Sequence, residues 1–297
     1  MSTGYVGLGN MGGAIARRIL LQHSMQVFDA RPEAVQAFVK EGATSAASLA
    51  EIGQNCDHVF ICLPTSKQVR QVIFESGGLA EHLAKGSLVV DMTTGDPVET
   101  KEMAAELAER GIDMIDAPVS GGPIGAERGT LAIMIGGPEA HYLKARTVLD
   151  AVSPNIFHTG DVGTGHTMKL VNNVIAACNR AMAFEAVTLG VKNGLDPAVC
   201  VDILQKSSGR SYTTEVTFPQ YILSGKPIQG FTLGLMHKDV ALATKLGEDS
   251  DTPMHLANVV KEIFQSALNV RGRDADINTL LELMEDAANT RVNPEAE

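Results

Sequence analysis

Residues 4–22 read GYVGLGNMGGAIARRILLQ, and the way this stretch folds settles the class of the chain. A short apolar run ends in glycines and passes at once into a helical stretch from Asn10. Gly7, Gly9 and Gly12 form G-x-G-x-x-G between the two. Glycine there permits a tight turn, close approach of backbone to a pyrophosphate, and close packing of helix on strand. The helix N-terminus offers N–H groups and the positive end of its dipole to the phosphates. A glycine-rich turn can also serve packing alone. The strand–turn–helix context is what marks Gly7, Leu8, Gly9, Asn10, Met11 and Gly12 as a dinucleotide-binding loop.

Asp29 closes the second strand, QVFDA, at the distance expected of the acid that holds a ribose. A carboxylate accepts from ribose hydroxyls and repels a phosphate, so NAD is expected ahead of NADP. Arg31 stands two residues on. It could greet a 2′-phosphate, which keeps NADP possible, or it could be a solvated arginine at a helix start.

From this motif outward, apolar runs alternate with helical stretches. HVFICL and SLVVDM have almost no polar alternation, as strands buried on both faces should. DMIDAPV and LAIMIGG read as further strands, RPEAVQAFVKEG as a helix with Pro32 at its start, and PVETKEMAAELAERG as one closed by Gly111. Such alternation predicts an α/β fold with a parallel, doubly wound, Rossmann-like sheet. Past about residue 160 the β signals stop. One helix is expected from Thr164 to Asn193, roughly 45 Å long. A helix capped by Asp196 with Pro197 in its first turn follows, then helices near 214–223, 235–246, 254–270 and 274–287. The expected domains are 1–162, an NAD(P)-binding domain, and 163–290, an all-helical substrate and oligomerisation domain reached through the long helix. Residues 291–297 are expected to be a frayed tail.

A chain of 297 residues exceeds what one core usually holds, in keeping with two domains. The net charge of −11, with no basic cluster, argues against nucleic acid and anionic membrane as partners. No signal peptide is expected at the start, and no apolar stretch is expected to reach membrane-spanning length. Cys56, Cys62, Cys178 and Cys200 form no C-x-x-C pair and read as buried, reduced thiols of a cytoplasmic protein. The eight histidines show no ligand spacing, so no metal is expected.

The long helix opens GHTMKLVNNVIAAC, from Gly165 to Cys178. It is apolar, yet it carries Lys169, Asn172 and Asn173, which at helical spacing share one side. Met168, Val171, Val174, Ile175 and Cys178 are expected to serve packing faces. A lysine in such a setting either snorkels to water or serves a cleft. Kept from water beside a cation such as an oxidised nicotinamide, a lysine can exchange a proton near neutrality and so act as general acid or base.

Taken together, several segments resemble the β-hydroxyacid dehydrogenase family over nearly the whole chain. GYVGLGNMG is similar to that family's cofactor loop and DAPVSGGPIGAERGTLAIMIGG to its substrate-binding signature. GTGHTMKLVNN is similar to its catalytic helix and GFTLGLMHKD to its distal cofactor segment. The resemblance implies that Lys169 is catalytic, that Asn173 binds substrate, and that Ser120, Gly121 and Gly122 hold a substrate carboxylate. Small residues suit such an anion cradle, although SGG by itself is also an ordinary turn. Leu63, Pro64, Thr94, Phe231 and Lys238 match positions that line the cofactor, where Lys238 alone would read as a solvated charge. KSSGRSYTTEVTFPQYILSG resembles the 2-(hydroxymethyl)glutarate-type members, and Arg210 within it either faces a second anionic group of the substrate or lies on a surface loop.

The implied function is interconversion of a short β-hydroxy acid and its semialdehyde by hydride transfer with NAD or NADP. The implied assembly is a homodimer or homotetramer made through the helical half. Two rivals share the fold. An imine reductase would usually lack the lysine, and an inactive cofactor-binding interaction module would show a replaced lysine or a broken carboxylate loop.

Overall fold

The central strand β1 (Thr3–Val6) pairs in parallel with β2 (Gln26–Phe28) on one side and β4 (His58–Ile61) on the other. Around it the computed structural model, which describes residues 2–293, builds a nine-stranded sheet. The remaining strands are β3 (Thr44–Ser45), β5 (Leu88–Asp91), β6 (Asp113–Asp116), β7 (Val119–Ser120), β8 (Ala132–Gly136) and β9 (Ile156–Gly160). The order β3-β2-β1-β4-β5-β6 is that of a dinucleotide-binding sheet. The doubly wound parallel sheet is as expected, and beyond β6 it gains an antiparallel edge. β8 runs antiparallel to both β6 and β7, and β9 then pairs with β8 in parallel. The cause is chain economy: β7 and β8 are joined by one short helix on the same edge, too short for a full crossover.

β1, β4 and β5 are buried at every position, so alternate side chains feed two cores. Tyr5, Phe60, Leu88, Val90 and Ile115 enter one, packed on α1 (Asn10–Leu20), α2 (Pro32–Lys40), α6 (Gly122–Arg128) and α7 (Glu139–Leu149). Val6, Val59, Ile61, Val89 and Met114 enter the other, packed on α3 (Leu49–Asn55), α4 (Ser66–Phe74) and α5 (Pro97–Ala108). The period of two along a strand is what splits the apolar residues between the faces.

α8 (Thr164–Lys192) is the expected long helix. The chain divides into Met1–Lys169 and Leu170–Glu297 inside this helix, seven residues past the expected boundary at 162 (169 − 162). α8 is long and apolar enough to cross a membrane, against the sequence expectation that no stretch is. Yet Lys169, Asn173 and Arg180 are buried along it, and Ala177, Ala181, Phe184 and Val187 belong to the second unit's core.

The second unit adds α9 (Pro197–Gln205), a π-helix (Thr213–Ile222), α10 (Leu233–Asp249), α11 (His255–Arg271) and α12 (Thr279–Ala288). Asp196 caps α9 as expected, accepting from Val199 N–H at 2.9 Å. Where an ordinary helix was expected near 214–223, bonds skip five residues, as from Leu223 N–H to Phe218 O. Pro219 lies inside this helix and has no N–H to give to the ladder. The helix expected from 274 starts only at Thr279. Asp276 holds the preceding turn, accepting from the N–H groups of Gln229, Gly230 and Asn278. The core of this unit centres on Phe184 and Phe218, edge to face at 5.5 Å.

Two further expectations change. Val174 and Cys178 pack on the second core, but Met168, Val171 and Ile175 are exposed. With Met182 and Leu189 they form an apolar stripe along the outer side of α8. The tail expected to fray from 291 is ordered at its start: Val292 is wholly buried and donates to Glu285 Oε1 at 2.6 Å. Positions 294–297 of that expected tail lie outside the described residues.

Candidate active site

The glycine loop leaves β1 and enters α1. Gly7 has φ +99°, and a Cβ there would stand 2.2 Å from the Cys62 carbonyl oxygen. A Cβ on Gly12 would stand 2.2 Å from the Gly7 carbonyl oxygen. Among the described residues nothing lies within 4 Å of a Cβ placed on Gly9. Two glycines are therefore demanded by the protein itself. The middle one keeps open the ground in front of the α1 N-terminus, which is the cradle a pyrophosphate needs. Leu8 is buried, Asn10 is exposed and Met11 is half-buried at the helix start.

Asp29 follows β2. Its Oδ2 accepts from Leu8 N–H at 2.7 Å, and its Oδ1 from Arg31 N–H at 2.9 Å and Arg31 Nε–H at 3.0 Å. Burial works to raise the Asp29 carboxyl, but these hydrogen bonds and the Arg31 charge outweigh it and hold the group below its usual range. The acid is thus ionised and tied to the glycine loop, and Arg31 is committed to it.

β1 and β4 are neighbours although three helices and two strands separate them in the chain. The turn after β4 therefore lies beside the glycine loop, at the point where strand order reverses. Leu63 and Pro64 are on that turn. Leu63 N–H donates to Thr93 Oγ1 at 3.1 Å, which joins the turn to Thr93–Thr94 after β5. The sheet so brings together Gly7–Gly12, Asp29, Leu63, Pro64 and Thr94, all in the first unit. Ser120 ends β7, and Gly121 and Gly122 follow at φ +129° and +66°, conformations that a side chain resists.

Lys169 is 8% exposed and is the last residue of the first unit. One turn on, Asn173 is buried in the second. Its Nδ2 donates to Asp239 Oδ2 at 2.6 Å and its Oδ1 accepts from Asn172 Nδ2 at 2.9 Å, so both ends of the amide are fixed. Lys238 Nζ lies 3.0 Å from Asp239 Oδ1 and is mostly covered, not a solvated charge. Phe231 is half-buried in the second unit, and its carbonyl accepts from Ile277 N–H at 2.8 Å. Arg210 is not among these groups. It stands on an exposed loop, its side chain 63% accessible, facing Glu215 at 3.9 Å, because the chain between α9 and the π-helix turns outward there.

Three buried polar residues escaped the sequence reading. Asp239 sits on the α10 face that otherwise buries Met236, Val240 and Ala243, and a carboxylate in an apolar helical slot was a usable signal. Arg180 holds such a slot on α8, bonded to Asn278 and Gln229, and burial pulls it down to about 10. His166 is enclosed by residues 50 to 75 positions away in sequence, which no local pattern reveals. Burial keeps thiols inert: the Cys62 thiol is pushed up to about 12 and that of Cys56 to about 11. All four cysteines are free, though only Cys56 is fully buried. Among the described residues no cluster of three His, Cys, Asp or Glu could hold a metal.

This fold and glycine loop define a dinucleotide-binding protein. Residues 2–160 match the family described as the NAD binding domain of 6-phosphogluconate dehydrogenase, and 163–284 that described as NAD-binding of NADP-dependent 3-hydroxyisobutyrate dehydrogenase. The chain is 36% identical to 2-(hydroxymethyl)glutarate dehydrogenase of Eubacterium barkeri, over 98% of this chain and 97% of that one. It is 34% identical to NAD-dependent L-serine dehydrogenase of Pseudomonas aeruginosa, over 95% and 97%. A solved Mycobacterium tuberculosis 3-hydroxyisobutyrate dehydrogenase with L-serine superposes with TM-score 0.88 at 26% identity, over 95% of this chain and 98% of that one. The chain belongs to the β-hydroxyacid dehydrogenase family, whose NAD-dependent members act on a CH–OH group.

The glycine geometry separates two roles by experiment. Gly12→Ala should destabilise the fold by about 1–3 kcal/mol, since its Cβ meets backbone. Gly9→Ala should leave the denaturation midpoint near wild type and weaken NADH binding about tenfold. Chemical denaturation and NADH fluorescence titration of both variants check this, and equal destabilisation would refute it.

Proposed function

We propose that this enzyme oxidises the hydroxymethyl group of a short acid of the form HO–CH2–CH(R)–COO⁻ to the semialdehyde, and catalyses the reverse reduction. The three relatives named above carry this unit in their names' compounds: 3-hydroxyisobutyrate, L-serine and 2-(hydroxymethyl)glutarate. The observation that carries the mechanism is a lysine kept from water one helical turn from a fixed asparagine. Bound NAD supplies the hydride acceptor. Lys169 Nζ takes the alcohol proton in oxidation and returns it to the carbonyl oxygen in reduction. Asn173 Nδ2 has given one hydrogen to Asp239 and keeps a second for the substrate hydroxyl. Ser120, Gly121 and Gly122 hold the carboxylate. Gly7–Gly12, Asp29, Leu63, Pro64, Thr94, Phe231 and Lys238 serve the cofactor.

Arg210 is left out of this reading of the substrate site, because it is exposed and faces Glu215 at 3.9 Å. The relatives' names support neither rival, imine reduction or an inactive module. NAD is favoured over NADP because Asp29 is ionised at the end of β2 and engages Arg31. The apolar stripe of α8, with Met182 62% and Leu189 66% exposed, supports a homodimer or homotetramer built on that face. Four free cysteines, with the Cys56 and Cys62 thiols held protonated by burial, suit a reducing cytoplasm.

Lys169→Ala should lower kcat about 10²–10⁴-fold and leave NADH binding within about twofold. Steady-state assay on a panel of hydroxymethyl acids, with NADH titration, checks it, and a variant keeping more than about a third of kcat would end the role.

Wild type should show higher kcat/KM with NAD than with NADP, and Asp29→Ala should narrow or reverse the ratio by freeing Arg31. Equal kcat/KM for both cofactors in the wild type would show that Asp29 does not select.

For the assembly, the double change Met182→Lys, Leu189→Lys should convert the oligomer to monomer in sedimentation velocity. A wild-type monomer, or a variant that stays assembled, would place the interface elsewhere or nowhere.

A further inference from the structure

His166 lies three residues before Lys169 on α8 and is wholly buried. Its surroundings are built to hold it. Nε2 lies 2.8 Å from the Thr93 carbonyl oxygen, and Nδ1 2.9 Å from Thr100 Oγ1. Its backbone N–H donates to Asp116 Oδ2 at 2.7 Å. A Cβ on Gly95 would come within 2.9 Å of the ring's Cε1, so the turn after β5 is moulded to the imidazole.

The proton accounting is constrained. A carbonyl oxygen only accepts, so Nε2 carries a hydrogen and donates to Thr93. Thr100 Oγ1 is also 2.9 Å from the Asp96 carbonyl, and its one hydrogen serves either that oxygen or Nδ1. The buried Asp91 carboxyl, pushed up by burial, lies 3.9 Å from Nε2. In both arrangements the bond to Thr93 is kept.

Thr93 is the residue that receives Leu63 N–H and precedes Thr94. One imidazole therefore links the first turn of the lysine helix to both turns assigned to the cofactor. We propose that His166 is a positioning residue: by donating to the Thr93 carbonyl it fixes the Thr93–Thr94 and Leu63–Pro64 turns against the base of α8, and so sets the separation between the nicotinamide and Lys169. The proposal rests on the cofactor and lysine roles given above. Its energetic case is geometric, since a misplacement of about 1 Å in a reacting pair can cost on the order of 10²-fold in rate.

Two substitutions of similar length isolate the hydrogen bond. His166→Met fills the space without a donor, and His166→Gln carries an amide that can donate to Thr93. His166→Met should lower kcat at least about tenfold, weaken NADH binding measured without turnover, and raise the deuterium isotope effect on kcat. His166→Gln should recover kcat to within about threefold of wild type. Thr100→Val, which removes the partner of Nδ1 and leaves residue 166 intact, should move the same readouts in the same direction by less, and it decides the matter if His166→Met does not fold. Wild-type kcat and NADH affinity in His166→Met, or His166→Gln no better than His166→Met at matched thermal stability, would overturn the proposal. Failure of the lysine role shows separately, in Lys169→Ala keeping its turnover.

Discussion

The Asp116 carboxylate starts the helix on which the proposed chemistry stands. It is wholly buried at the end of β6, and it accepts from Gly163 N–H at 2.6 Å and His166 N–H at 2.7 Å. An anion among the first unpaired N–H groups of a helix satisfies donors that have no intrahelical partner, and it meets the positive end of the dipole. The fit is close. A Cβ on Gly165 would stand 2.3 Å from the Met134 carbonyl oxygen and 2.8 Å from Asp116 Oδ2, so the helix starts flush against β8 only because that residue is glycine.

Everything of chemical interest on α8 is phased from that anchor. Lys169, Asn173, Ala177 and Arg180 follow at intervals of four, four and three residues, and all are buried. A helix held at its first turn carries this face forward at a fixed angle, about 100° per residue. The same phase sends Met168, Val171, Ile175, Met182 and Leu189 to the opposite side. One helix thus carries buried polar groups on one side and exposed apolar groups on the other, the reverse of a solvated surface helix.

The buried and half-buried polar groups are arranged so that few side chains remain free to turn. Asn173 is gripped at both ends of its amide, and Asp276 collects three backbone N–H groups around the turn before α12. Asp29 joins the glycine loop to the strand beside it. Such groups cost free energy to bury and return it only when their partners are in place, so they specify one arrangement more than they add stability.

Much of this was legible in the chain itself. The glycine spacing, the apolar strands and the 3.6-residue period fixed the sheet, the long helix and the positions of Lys169 and Asp29, because those signals are local and set by backbone sterics. Local signals end where partners come from afar. The antiparallel edge at β8, the π-helix around Pro219 and the late start of α12 depend on hydrogen bonds between distant segments. Periodicity marked Met168, Val171 and Ile175 as apolar but could not say that this side of α8 faces outward. In sequence Arg210 was open between an anion receptor and a surface-loop residue, and the structure exposes it on a loop. Asp239 and His166 acquire meaning through residues 50 and more positions away, since the grip on an amide or an imidazole is a matter of distance in space.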